Sequence, residues 1–181
     1  NIEVPFFNYY LKGKGSVEKI NEANIFFTGE NQWYQSASWP LAGTTNAKLY
    51  LQANGKLSFT PAKTGAPTFA EYVSDPAKPV PYTEDVHAGR TREYMTDDQR
   101  FAARRPDVLV YQSDILTEDI TVGGPLTADL KVSISTTDAD FVVKLIDVFP
   151  DKFSYAEPTS YLMDGYQMLV RGEVFRGKFR N

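Results

Sequence analysis

Histidine is the side chain that most readily moves a proton near neutral pH, and this 181-residue sequence contains one, His87. A serine hydrolase would need that imidazole beside a hydroxyl held on a sharp turn, usually G-x-S-x-G, with a carboxylate orienting the ring. No G-x-S-x-G occurs, and His87 falls in a proline-rich stretch where a solvated or locally bonded imidazole is the ordinary outcome. There is no cysteine, which excludes disulfides, thiolate catalysis and cysteine-bound zinc or iron–sulfur sites. H-E-x-x-H is absent, and a single histidine cannot build the usual catalytic zinc set. Oxygen ligands for calcium are offered by the pairs Asp97 and Asp98, Glu118 and Asp119, and Asp138 and Asp140. Each pair adjoins a turn or cap, where carboxylates ordinarily serve solvation or backbone capping. Trp33, Tyr34 and Trp39 could stack on a sugar or another flat ligand, or serve as core or inter-domain contacts. The residues thus predict no catalytic set, no metal and no cofactor.

These side chains must be carried by one ordinary folded domain. The hydrophobic fraction is 42%, the aromatic fraction 14% and the charged fraction 23%, which is globular composition at a length suited to one domain. A net charge of −4 gives no general field for nucleic acid or an anionic membrane surface, so neither is an expected partner. The basic cluster Arg171, Arg176, Lys178 and Arg180 recurs around Val174, Phe175 and Phe179, as in a strand with a solvated face. No run reaches the roughly 18 apolar residues of a transmembrane helix. Glu3 and Lys12 interrupt the first residues where a signal peptide needs an apolar core. The compartment stays open, with a periplasmic or secreted location expected if a parent protein carries a leader upstream.

Residues 2–11 place Ile2, Phe6, Phe7, Tyr10 and Leu11 at helical spacing, and Gly13 and Gly15 end that short helix. Strands are then predicted over 25–28, 47–53, 56–60 and 68–74, with Asn54-Gly55 making a tight hairpin because both residues tolerate positive φ. Pro76, Pro79 and Pro81 make 75–96 an aperiodic loop. A helical turn is predicted over 97–104, capped by Thr96 and stopped by Pro106. Further strands are expected over 107–113, 126–135, 141–149 and 167–176. In the second of these, Leu130, Val132 and Ile134 alternate with Lys131, Ser133 and Ser135. Eight or nine strands with marginal helix predict an all-β fold, a two-sheet sandwich or jelly roll.

Six segments, in order, resemble one family. They are PFFNYYLKGKG (5–15), the W-then-WP spacing of Trp33, Trp39 and Pro40, SDPAKPVPY (74–82), DDQRFAARRPDVLVYQSDILTEDITVGGP (97–125), DADFVVKLIDVFPD (138–151) and GYQMLVRGEVFRGKFR (165–180). The resemblance is to the carboxy-terminal domain shared by α-amino acid ester hydrolases, bacterial cocaine esterase, glutaryl acylase-like enzymes and X-Pro dipeptidyl-peptidases. DQRFAARRPDVL looks most like the α-amino acid ester hydrolase branch.

That resemblance implies a galactose-binding-like jelly roll over 16–181, with 1–15 a helical lead-in from an upstream α/β-hydrolase domain. The catalytic Ser, Asp and His would lie upstream, and His87 does not occupy the place of the family's histidine. This chain is then the non-catalytic part of a serine hydrolase acting on a small acyl ester, amide or peptide. The loop 83–96 would wall the cleft, with His87, Arg90, Arg92 and Tyr94 facing substrate. The family continues past the segment resembling GKFRN, so the sandwich is expected to lack its last strands, and an exposed sheet edge would favour self-association into a homo-oligomer. Two alternatives stand beside it: the same domain of an X-Pro dipeptidyl-peptidase, and a free-standing carbohydrate- or ligand-binding sandwich built on Trp33, Tyr34 and Trp39.

Overall fold

A computed structural model describes residues 2–18, 20–63, 65, 69–89, 91–153, 155 and 161–179. Among the described residues, those in strands outnumber those in helices, as an all-β reading requires. The chain separates into two compact units, Asn1–Lys48 with Ile115–Thr127, and Leu49–Asp114 with Ala128–Asn181.

In the first unit, helix α1 spans Glu3–Lys12, with Glu3 in its first turn and Lys12 in its last, both favourable to the helix dipole. Pro5 is tolerated because first-turn amides have no intrahelical acceptor. Gly13 at φ 62° ends the helix: its amide donates to Tyr9 O, and the Lys14 amide reaches back to Asn8 O. Strands β1 (Ala23–Phe27) and β2 (Gln32–Ser36) pair antiparallel, with Phe26 opposite Trp33 and Ile25 opposite Tyr34. On one face Phe27 lies so near Gly123 that a Cβ there would stand 3.3 Å from its ring. The other face carries the Phe26–Trp33 pair, rings 5.4 Å apart, with Trp33 68% exposed.

In the second unit, β3 (Tyr50–Gln52) and β4 (Lys56–Ser58) form the hairpin expected of Asn54-Gly55, whose φ values are 60° and 68°. Gly55 is required there, because a Cβ would also sit 2.8 Å from the Val110 carbonyl oxygen. The longest ladder joins β5 (Asp140–Val148) to β6 (Gln167–Arg176), with an irregularity between Leu145 and Ile146. Lys144 faces Gly172 across that ladder, and the missing side chain leaves room for the lysine stem. Helix α2 (Arg100–Ala103) is one turn, and Thr96 does not cap it: Gln99 holds the N-cap position, while the Thr96 hydroxyl donates to Glu93 O.

Among the described residues the sheets are three separate antiparallel pairs, none closed into a sandwich. Residues 107–113 and 126–135 are not strands. The former keep one bridge, Lys56 to Gln112. Leu130, Val132 and Ile134 alternate as predicted but stay partly exposed, with no paired strand beside them. Alternation identifies which face a strand would bury; it does not supply the neighbour that makes it a strand. Residues 69–74 are likewise irregular, and Thr68 lies outside the described residues.

Candidate functional site

The expected cleft loop follows the proline-rich run. Asp75 starts that run as a turn, accepting the Ala77 amide on Oδ1 at 2.9 Å and the Lys78 amide on its carbonyl at 3.0 Å. The Arg105 guanidinium donates to Lys78 O at 3.1 Å and pairs with Asp107, tying the start of the loop to the segment beyond it. The loop closes on itself at its base. Tyr82 and Tyr94 stack with centroids 4.7 Å apart, and the Glu84 amide donates to Asp97 Oδ2 at 3.4 Å. Thr83 is buried, its hydroxyl donating to Asp85 O at 2.7 Å. Two ends held together across about a dozen residues make a compact Ω-type loop, and its tip presents the fully exposed Val86 beside exposed His87.

The four predicted cleft residues have different fates. His87 and Arg92 are exposed, Tyr94 is half-buried against Tyr82, and Arg90 lies outside the described residues. Glu93 adds a charge between them. Its own amide, the Thr91 hydroxyl and the Arg92 amide hold its carboxyl below the usual range, with His87 contributing in the same direction.

Beneath the loop, residues 97–101 bolt it to the end of the β5–β6 ladder. The Asp98 side chain, 18% exposed, pairs with the Arg100 guanidinium and accepts the Arg100 amide at 3.1 Å and the Gln167 amide at 3.2 Å. Burial disfavours its charge, but the Arg100 guanidinium and the two amides outweigh that and hold the carboxyl below its ordinary range. Gln99 is 1% exposed; its amide N–H donates to Gln167 O at 3.0 Å, and its side chain joins Asp97 O (2.9 Å) to the Lys144 ammonium (2.6 Å). Lys144 also lies 5.5 Å above the Phe101 ring, and burial lowers its pKa against a smaller opposing effect of Asp97. The Tyr166 hydroxyl donates to Thr96 O. Burial, then the Asp98 and Asp97 charges, raise its pKa. An open depression beside this cluster is lined by Glu84, Asp98, Arg100, Phe101 and Arg104.

Sequence reasoning passed over Gln99 and Lys144. The available signal was a lysine inside the apolar strand run Phe141–Phe149, which demands a buried acceptor. No group of three or more metal-ligating side chains gathers among the described residues. Asp98 and Asp140 instead pair with Arg100 and Arg176, and Asp138 Oδ1 accepts the Ala139 amide. Trp33 and Tyr34 do not share one face: Trp33 contacts Phe26, whereas Tyr34 contacts Phe27 and donates its hydroxyl to Glu30. No helix among the described residues is long and apolar enough to cross a membrane.

Known proteins fit this picture of a site without a nucleophile. The chain is 32% identical over 154 residues to cocaine esterase of Rhodococcus sp. (strain MB1 Bresler), covering 81% of this chain and 27% of that protein. It is also similar to the crystal structure of an aminopeptidase from the marine sediment archaeon Thaumarchaeota archaeon. There the TM-score is 0.75 and the identity 37%, over 99% of this chain and 29% of the other. The chain therefore spans under a third of the length of either relative. Residues 16–174 match the X-Pro dipeptidyl-peptidase C-terminal non-catalytic domain, and the chain belongs to that family.

Proposed function

We propose that this chain is the C-terminal jelly-roll domain of a larger serine hydrolase, with residues 1–15 leading in from an upstream α/β-hydrolase domain and the loop 83–96 walling its active-site cleft. The parent forms a serine acyl-enzyme on a small acyl ester or amide. In it, His87, Arg90, Arg92 and Tyr94 shape the substrate-facing wall without making or breaking bonds. The observation that carries this reading is the loop itself. Its base is closed by the Tyr82–Tyr94 stack and the Glu84–Asp97 bond, while its tip puts an apolar Val86 and a titratable His87 into solvent. A loop anchored that firmly and exposing such a tip is built to meet something. The family match from residue 16 onward, immediately after α1, supports the division at the lead-in helix.

Identity to an aminopeptidase favours a second reading, in which the parent cleaves peptides from the amino terminus and the same loop borders a peptide-binding cleft. One assay separates the readings: a chromogenic amino-acid ester and a chromogenic dipeptidyl amide are offered to this chain and to the full-length parent. The chain is expected to be inactive and the parent active, with the preferred substrate naming the class. Turnover by the chain alone, abolished by His87→Ala, would overturn the non-catalytic assignment.

A further inference from the structure

We propose that Gln99 and Lys144 are positioning residues for the cleft loop, fixing where the 83–96 tip stands and hence the KM of the parent, although neither reaches the loop tip. The proposal rests on the reading of that loop as a cleft wall.

The argument starts from what a glutamine alone can do. Its side chain donates and accepts at once, whereas glutamate only accepts, lysine only donates and leucine does neither. Gln99 uses both functions while almost completely removed from solvent: Nε2 donates to Asp97 O and Oε1 accepts from Lys144 Nζ. The amide has one workable orientation, because turning it over would set its N–H₂ against an ammonium. Asp97 then takes the Glu84 amide on its carboxylate. A continuous polar line therefore runs from strand β5 through Lys144, Gln99 and Asp97 to Glu84, the second residue of the loop. Lys144 is a fixed anchor for this line. Its stem lies over the side-chain-free Gly172 and its ammonium over the Phe101 ring, on the longest ladder of the fold.

Aromatic stacking at the loop base cannot replace this line. The Tyr82–Tyr94 stack holds two rings near each other but tolerates sliding, whereas the short, part-buried bonds of Gln99 to Lys144 and to Asp97 O are directional and fix the Asp97 backbone from which the longer, exposed bond to the Glu84 amide is made. Asp98 performs a separate task, joining helix α2 to β6 through Arg100 and the Gln167 amide.

The test uses the full-length parent. Gln99→Leu and Lys144→Met are each expected to raise KM for the chromogenic substrate that the parent turns over by about tenfold, with kcat within about twofold, as displacement of a substrate-positioning element requires. The double variant should be no worse than Gln99→Leu alone, because that change already breaks the bond to Lys144. Hydrogen exchange should quicken at amides 84–97 while the β5–β6 amides keep their protection. If Gln99→Leu fails to fold, Gln99→Glu retains the acceptor for Lys144 and loses only the donor to Asp97 O; it should still quicken exchange in the loop and raise KM. The tip variants Val86→Gly and His87→Ala separate the two ideas. If they shift KM and the Gln99 and Lys144 variants do not, positioning is overturned and the cleft wall stands. If they leave KM unchanged, the cleft wall is wrong and the positioning role falls with it. Equal losses of kcat and exchange protection throughout the domain would mean a merely structural role and would also overturn the proposal.

Discussion

The β1–β2 and β5–β6 hairpins are both antiparallel pairs, but they are secured by different physics. Along β1–β2, five residues pair with five, and the outer face is stabilised by neighbours already set by the register: Phe26 against Trp33, and the Gln35 amide donating to Asn24 Oδ1 at 3.1 Å. The β5–β6 hairpin is roughly twice as long and is keyed at its connected end, where Val148 pairs with Gln167, by residues far away in sequence. There the Asp98 carboxylate and the Gln99 amide both engage Gln167, and the Gln99 side chain engages Lys144. Local aromatic pairs follow automatically once strands align. Long-range bonds to buried polar groups do not, and they make the loop feeding into them part of the same cooperative piece.

Removing the key should have the largest effect. Asp98→Ala leaves the Gln167 and Arg100 amides without their carboxylate and is expected to cost about 2–3 kcal/mol, read by urea titration and by loss of exchange protection at β6. Acidification should weaken the same point. The Asp98 carboxyl titrates below its ordinary value in the folded state, so its stabilisation is complete above the unfolded pKa of about 3.9 and disappears as the pH falls through the folded value. The melting temperature should therefore fall below about pH 4, and Asp98→Asn should flatten that dependence. Against these, Trp33→Ala is expected to cost at most about 1 kcal/mol, because it deletes an exposed cross-strand pair that water readily replaces. The smallest effect belongs to the keyed hairpin itself: Arg176→Ala breaks a half-exposed pair with Asp140 and should change stability by about 0–0.5 kcal/mol. A large loss there, or a loss at Trp33 rivalling that at Asp98, would mean that strand pairing and not the polar key secures the β5–β6 end.

The local elements were readable where one segment contains its own instructions. Helix α1 ends at Gly13 because only the left-handed conformation closes its last carbonyls there. Asn54-Gly55 turns because both residues accept positive φ. Strand β6 matches its predicted bounds, since apolar periodicity and turn signals frame it on both sides. Strand β2 escaped notice because QWYQS is short, polar at both ends and mostly exposed, so it becomes a strand only by pairing with β1. The reverse failure occurred at 126–135, where clear alternation meets no paired neighbour among the described residues.

For the candidate site the division is similar. The family could be named from six motifs in order, and that resemblance, with the long aperiodic loop 83–96, singled out His87, Arg90, Arg92 and Tyr94. That Tyr94 would be stacked depended on Tyr82, at the far end of the loop. The sequence by itself determined the short helix and the Asn54-Gly55 hairpin, because each depends on residue type and near neighbours. Tertiary structure alone decided that a buried glutamine would join a lysine 45 residues away to the base of the loop. A side-chain amide can satisfy its donor and acceptor in many ways, and only the folded chain selects among them.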